Sequence, residues 1–125
     1  MAKPEANPVH WLSEVEEHNY PAAESYLTLV FPPARVAASV GALRKAPLVN
    51  FKAKDIFRAS GLSRLGVSNT HVEKDISKIN KGTGLSPLLL VRDEANGKVV
   101  IADGYHRLCA VYEFDEDAWI SCKIV

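Results

Sequence analysis

Two apolar runs of β-forming residues, separated by a short polar turn, constrain this fold more than any other feature. The runs PLLLV (87–91) and KVVIA (98–102) are continuous rather than alternating, as expected for strands that are buried on both faces. Between them, DEANG contains an Asn-Gly pair, which is a strong signal for a tight turn. The sequence therefore predicts a hairpin inside the core of the domain.

Helical patterns dominate the first 47 residues. Apolar spacing predicts a short amphipathic helix in PVHWLSEVEEH (8–18) and a second helix in AAESYLTLV (22–30), although the second segment is also compatible with a strand. A third helix is predicted in PPARVAASVGALRKAP (32–47), which has proline at its start and basic residues in its last turn. We expect residues 1–47 to form a helical lobe.

The rest of the chain alternates strand and helix signals. LVNF (48–51) favours a strand, a brief helix runs from Asp55 to Gly61, and a loop follows. THVEKDISKINKG (70–82) predicts a helix that is capped by Asn69 or Thr70, and WISCKIV (119–125) closes the chain as a strand. The sequence predicts an α+β fold in which residues 1–125 form one domain, with a core from 48 to 125.

Composition limits the classes of function. Fifteen basic residues balance fifteen acidic ones, so net charge gives no support to nucleic-acid binding. Cys109 and Cys122 are too few for a disulfide framework and are not spaced like zinc ligands, so we expect reduced core thiols. The chain shows no secretory leader pattern and no stretch approaching ~20 apolar residues, which favours a cytoplasmic protein without membrane association.

The segment ADGYHR places polar residues where the second hairpin strand gives way to a helix. The first amides of a helix lack internal partners and lie at the positive end of its dipole, which suits them to an anion. Gly104 allows close approach of the backbone, the Arg107 guanidinium can clamp a phosphate, and His106 can donate a hydrogen bond or move a proton. Asp103 can orient His106 or hold a divalent ion. The segment therefore predicts a phosphate site.

Structural interpretations of the same residues stay open. His106 and Arg107 could cap the helix and pair with Asp103 or Glu113, and Asp103 could be a simple N-cap. Tyr105 could stack on a base or sugar, or could be an interfacial core residue.

With these residues in place, the chain resembles the ParB/sulfiredoxin fold, in which a Gly-x-His-Arg or Gly-Glu-Arg-Arg segment binds nucleotide phosphates at a helix start. The resemblance covers residues 48–125, and its most specific piece is DGYHRLCA following SPLLLV and the hairpin. It implies a small mixed sheet with packed helices, and the helical lobe resembles an extension of small bacterial members. Sulfiredoxins need a cysteine where Tyr105 stands, and the DNA-binding helices of the partition proteins are missing, so neither of those activities is expected.

The resemblance also implies a second wall for the anion site. If the helix over 70–82 faces the pocket, then His71, Lys74 and Lys78 share one face and match the polar phosphate-contacting positions of the family helix. Lys52 and Lys54 alternate along the predicted strand, so they would point the same way and add positive charge. The alternative is that all of these are solvated surface residues.

Two classes of function follow from this site. The first is a binding module for a nucleotide or another phosphorylated small molecule, with ATP or CTP and magnesium as candidate cofactors. The second is a nucleotide-dependent hydrolase or phosphotransferase, or a ParB-like nuclease, with His106 and Asp103 as catalytic residues. The binding module is favoured over the enzyme because the sequence offers only one good acid–base candidate. A resemblance in fold does not by itself establish a catalytic activity.

Overall fold

The fold is α+β, with five helices and a mixed sheet of four strands among the residues that the structure describes. The structure is a computed structural model that describes residues 9–66 and 69–125. The helices are α1 (Asn19–Leu27), α2 (Pro33–Lys45), α3 (Ala53–Ser60), α4 (Thr70–Asn80) and α5 (Tyr105–Phe114). The strands are β1 (Val49–Lys52), β2 (Leu88–Asp93), β3 (Lys98–Asp103) and β4 (Trp119–Ile124).

The sheet has the strand order β1-β4-β2-β3. The hairpin of β2 and β3 is antiparallel, β4 runs parallel to β2, and β1 pairs antiparallel with β4. Asp93 stands opposite Lys98 across a short 3₁₀ turn that ends at Gly97, which has φ of 64°. The predicted hairpin and its Asn-Gly turn are confirmed.

Two hydrophobic cores lie on opposite faces of the sheet, which explains why the hairpin strands are apolar throughout. On one face, α1 and α2 contribute Leu27 and Leu43, which meet Leu89 of β2. On the other face lie α3, α4 and α5, whose core residues pack with Leu88 and Leu90 of the same strand. Neighbouring residues of β2 therefore belong to different cores, as the pleat of a strand requires.

The helix predicted over residues 8–18 is wrong. Pro8 lies outside the described residues, and residues 9–18 contain no helix. Instead, Trp11 forms a parallel bridge with Leu85, and Leu12 N donates to the Leu85 carbonyl at 2.8 Å. Pairing with a distant backbone segment replaces the local helical hydrogen bonds, and the first helix begins only at Asn19. The helical prediction for 22–30 is confirmed as far as Leu27, where α1 ends.

The remaining local predictions are largely confirmed. Asn69 caps α4, since its Oδ1 accepts from His71 N at 3.0 Å and from Val72 N at 3.2 Å. Residues 61–66 form a loop, while 67 and 68 lie outside the described part of the chain. Cys109 and Cys122 are free and buried in the core. Among the helices described, none is long and apolar enough to cross a membrane.

Candidate functional site

The site begins where β3 passes into α5 through Gly104. This glycine has φ of 108°, a conformation that side-chain-bearing residues rarely adopt. A Cβ on it would lie 2.5 Å from Leu88 Cγ and 3.0 Å from Arg107 Nη2. Leu88 is fully buried, so the strand beneath leaves no room for a side chain here. Gly104 therefore allows α5 to start directly against the sheet.

The amino-terminal end of α5 opens into a cavity of about 270 Å³. Four of the lining residues come from α4 and five from the β3–α5 junction: His71, Lys74, Asp75, Lys78, Asp103, Gly104, Tyr105, His106 and Arg107. The structure thus brings together seven of the eight residues predicted to bind phosphate, together with Asp103, predicted to be catalytic.

Lys54 is the predicted site residue that lies elsewhere. β1 ends at Lys52, and Lys54 lies in the first turn of α3, so the predicted alternation along one strand is wrong. The Lys54 ammonium forms an ion pair with Asp117 at 2.9 Å, which raises the pKa of the lysine. The Lys52 ammonium lies over the Trp119 ring, 5.4 Å from its centroid. Neither lysine lines the cavity.

Two side chains that are far apart in the sequence, Asn19 and Asp103, hold Arg107 in place. Its Nη2 donates to Asp103 Oδ2 at 2.9 Å and to Asn19 Oδ1 at 3.4 Å. The internal ion pair with Asp103, one of the alternatives left open by the sequence, is therefore present. Arg107 Nε is buried and has no hydrogen-bond partner within residues 9–66 and 69–125. The guanidinium lines the cavity in an orientation set by Asp103 and Asn19, while its unpaired Nε is buried away from the surface.

Asp103 is not the N-cap of α5. The capping position is Gly104, and no side chain in the described part of the molecule caps this helix. The Asp103 carboxylate turns instead to Arg107, four residues on. The first amides of α5 consequently keep the free character that suits an anion.

Two histidines of the lining, one on each helix, have their rings in contact. The His71 and His106 ring centroids are 4.8 Å apart, with 42° between the ring planes. Burial, reinforced by His71 and Arg107, lowers the pKa of His106 below its usual 6.5, while Asp75 acts in the opposite direction. The lowered pKa favours the neutral imidazole of His106.

Asp75 is a site residue that the sequence predictions missed. It lies on α4 with only 9% of its surface exposed, and burial raises its pKa although Lys78 and Arg107 favour its charged form. The sequence spacing could have identified it, because Asp75 is four residues after His71 and three before Lys78 and so lies on the same helical face. Asp75, rather than Asp103, is the carboxylate whose charge acts on His106.

Tyr105 is engaged within the protein. Its hydroxyl donates to the Ser63 carbonyl, and its ring meets Phe57 edge to face with centroids 6.5 Å apart. The neighbouring Leu65 N donates to Cys109 Sγ at 3.4 Å. Tyr105 thus ties the 61–66 loop to α5 and has the contacts of an interfacial core residue.

The second missed residue is Asn19, the first residue of α1. Only 4% of it is exposed, and its Oδ1 accepts from Ser86 Oγ at 2.6 Å as well as from Arg107. Ser86 Oγ in turn accepts from Glu16 N at 3.0 Å. This network joins the amino-terminal helices to the site. Nothing in the local sequence around Asn19 could indicate a partner so far along the chain.

Comparisons with known proteins give no relative from which a function could be taken. No family model, curated protein or solved structure matches this chain.

Proposed function

We propose that the protein binds a nucleotide or another phosphorylated small molecule in the cavity between α4 and α5. The observation that supports this most is the convergence of five side chains able to carry positive charge on one cavity at a free helix start: His71, Lys74, Lys78, His106 and Arg107. Three permanent cations face two carboxylates there, and the dipole of α5 adds positive potential. An entering phosphate would supply acceptor oxygens for the donors at the Arg107 end of the cavity.

The ParB/sulfiredoxin resemblance is part of the same proposal. It rests on DGYHRLCA at a helix start and on the order of elements from 48 to 125. ATP or CTP with magnesium are its candidate ligands, and a cytoplasmic location its expected setting. Asp103 could contribute to a magnesium site only by sharing its carboxylate with Arg107.

The catalytic alternative receives less support from the geometry. It assigns acid–base work to His106 with Asp103, but in the described part of the chain the Asp103 carboxylate accepts from Arg107 and makes no hydrogen bond with His106. A phosphate-release assay on every nucleotide that binds tests this alternative. Turnover that disappears in His106→Ala while binding persists would establish an enzyme.

The binding proposal is tested by isothermal titration calorimetry with inorganic phosphate, ATP and CTP, each with and without magnesium. Lys78→Ala removes one exposed cation of the cavity, and Lys45→Ala removes an exposed cation in the last turn of α2 as a matched control. We expect Lys78→Ala to weaken binding by roughly tenfold, the effect of one hydrogen bond to a charged group of ~1.5 kcal/mol. Equal affinities for the two variants, or no binding by the wild-type protein, would refute the proposal.

A further inference from the structure

Asp75 is a buried residue whose carboxylate lines the cavity and accepts no hydrogen bond from the described part of the chain. Asp75 is more than nine-tenths buried, and within residues 9–66 and 69–125 it makes no hydrogen bond or ion pair. Its interactions with Lys78, Arg107, His106 and His71 act only through their charges. A carboxylate that lines a cavity and accepts no hydrogen bond from the described chain is free to accept one from a molecule that enters the cavity.

The phosphate part of a ligand cannot supply that donor. A phosphate dianion offers only acceptor oxygens, and it would be repelled by the Asp75 carboxylate. A hydroxyl close to the phosphate can donate to Asp75 while the phosphate oxygens meet the cations. The site therefore combines donors for a phosphate with one acceptor for a hydroxyl.

The size and lining of the cavity favour a small ligand. Its volume of about 270 Å³ is below the ~300–1,000 Å³ of sites for drug-sized ligands. The Tyr105 ring, which could have supported a base, is packed on Phe57 and held by Ser63. The remaining aromatic rings of the lining are the imidazoles of His71 and His106, whose centroids lie 4.8 Å apart, so the cavity has no large aromatic ring that is without a ring partner.

The two walls of the cavity favour a monoester over a diester. Lys74 and Lys78 approach from α4, and Arg107 with the first amides of α5 approaches from the other side. A terminal phosphate has three free oxygens and a charge near −2, so it can meet both walls at once. An internal phosphodiester has two free oxygens and a single charge.

From these observations, and resting on the proposed function, we infer that the natural ligand is a compact, hydroxyl-bearing phosphate monoester, of the polyol or sugar phosphate class. Its phosphate lies at the start of α5, and one of its hydroxyls donates to Asp75. We expect a nucleotide to contact this site through its phosphate alone.

Calorimetry at pH 7.5 with four probes tests this inference: glycerol 3-phosphate, inorganic phosphate, dimethyl phosphate and CTP. We expect glycerol 3-phosphate to bind roughly tenfold more tightly than inorganic phosphate, the effect of one hydrogen bond to a charged group. CTP should bind no more tightly than glycerol 3-phosphate, and dimethyl phosphate should bind most weakly.

Two variants separate the hydroxyl contact from the charge of Asp75. Asp75→Ala and Asp75→Asn both remove the charge and should strengthen binding of inorganic phosphate, while only Asp75→Asn keeps an acceptor. The preference for glycerol 3-phosphate over phosphate should disappear in Asp75→Ala and persist in part in Asp75→Asn. Circular dichroism confirms that both variants fold.

The outcomes distinguish the inference from the proposed function. Tighter binding of CTP than of glycerol 3-phosphate, or a preference unchanged in Asp75→Ala, overturns the inference and leaves phosphate binding intact. Failure of all four probes to bind overturns both.

Discussion

Replacing Gly104 by alanine tests how tightly the start of α5 is built against the sheet. The new Cβ would lie 2.5 Å from Leu88 Cγ and 3.0 Å from Leu88 Cδ1. Cγ is the branch point of a fully buried side chain, so it cannot turn away as the end of a flexible chain could. Relief of the contact requires movement of β2 or α5.

Two costs add in Gly104→Ala. A positive φ on a non-glycine residue costs ~1–3 kcal/mol, and forcing one methyl into a packed core costs a further ~1–3 kcal/mol. We therefore expect the free energy of unfolding to fall by about 2–6 kcal/mol, a large share of the ~5–15 kcal/mol that stabilises an ordinary domain.

Gly97→Ala provides the matched control. Gly97 also has a positive φ, 64°, but within the described residues a Cβ there would meet no heavy atom within 4 Å. The Gly97→Ala variant therefore has the cost of a positive φ but not the cost of forcing a methyl group into a packed core. Urea unfolding followed by circular dichroism should show Gly104→Ala to be the more destabilised by at least ~1 kcal/mol. Equal losses in the two variants would refute the tight packing described for this turn.

Further predictions concern the core, the buried network and pH. Leu108→Ala, at a fully buried position, should cost ~2–5 kcal/mol in urea unfolding; a loss below 1 kcal/mol would contradict its burial. Ser86→Ala should cost ~1–3 kcal/mol, because Glu16 N loses its side-chain acceptor and Asn19 Oδ1 loses the shorter of its two hydrogen bonds, while exposed Ser13→Ala should be neutral. Because the pKa of His106 is lowered when folded, the unfolded chain binds more protons near pH 6, so the unfolding free energy falls as pH drops through 6.5. His106→Asn should flatten that dependence, and an unchanged slope would contradict it.

The sheet and most of the helices could be predicted because their signals are local or depend on burial alone. The hairpin strands are continuously apolar, and in the structure Leu88 and Leu89 of β2 enter opposite cores. The strand–glycine–helix order predicted around Gly104 is likewise present, since β3 ends at Asp103 and α5 begins at Tyr105.

The errors arise where contacts between distant segments override local patterns. The apolar spacing of residues 9–18 satisfies a helix, but the segment pairs with Leu85 instead. Similarly, Lys54 is predicted to lie in a strand, but it lies in α3, where its backbone N donates to the Glu116 carbonyl at 3.0 Å and its ammonium pairs with Asp117. Neither partner can be identified from the local sequence.

Within the site, the sequence could indicate which residue types converge but not how they pair. His71, Lys74 and Lys78 follow from helical spacing, and Asp75 could have been included by the same rule. The hydrogen bond from Arg107 to Asn19 could not have been predicted in this way, because it depends on how α1 packs against the sheet. The orientation of the guanidinium is thus a tertiary property.

The most direct test of the account is an amide chemical-shift titration of the ¹⁵N-labelled protein with inorganic phosphate at pH 7.5. We predict saturable shifts concentrated on residues 104–107 at the start of α5 and on residues 71–78 of α4, with α2 unaffected. Shifts that are absent, or that cluster away from the α4–α5 cavity, would contradict phosphate binding at this helix start.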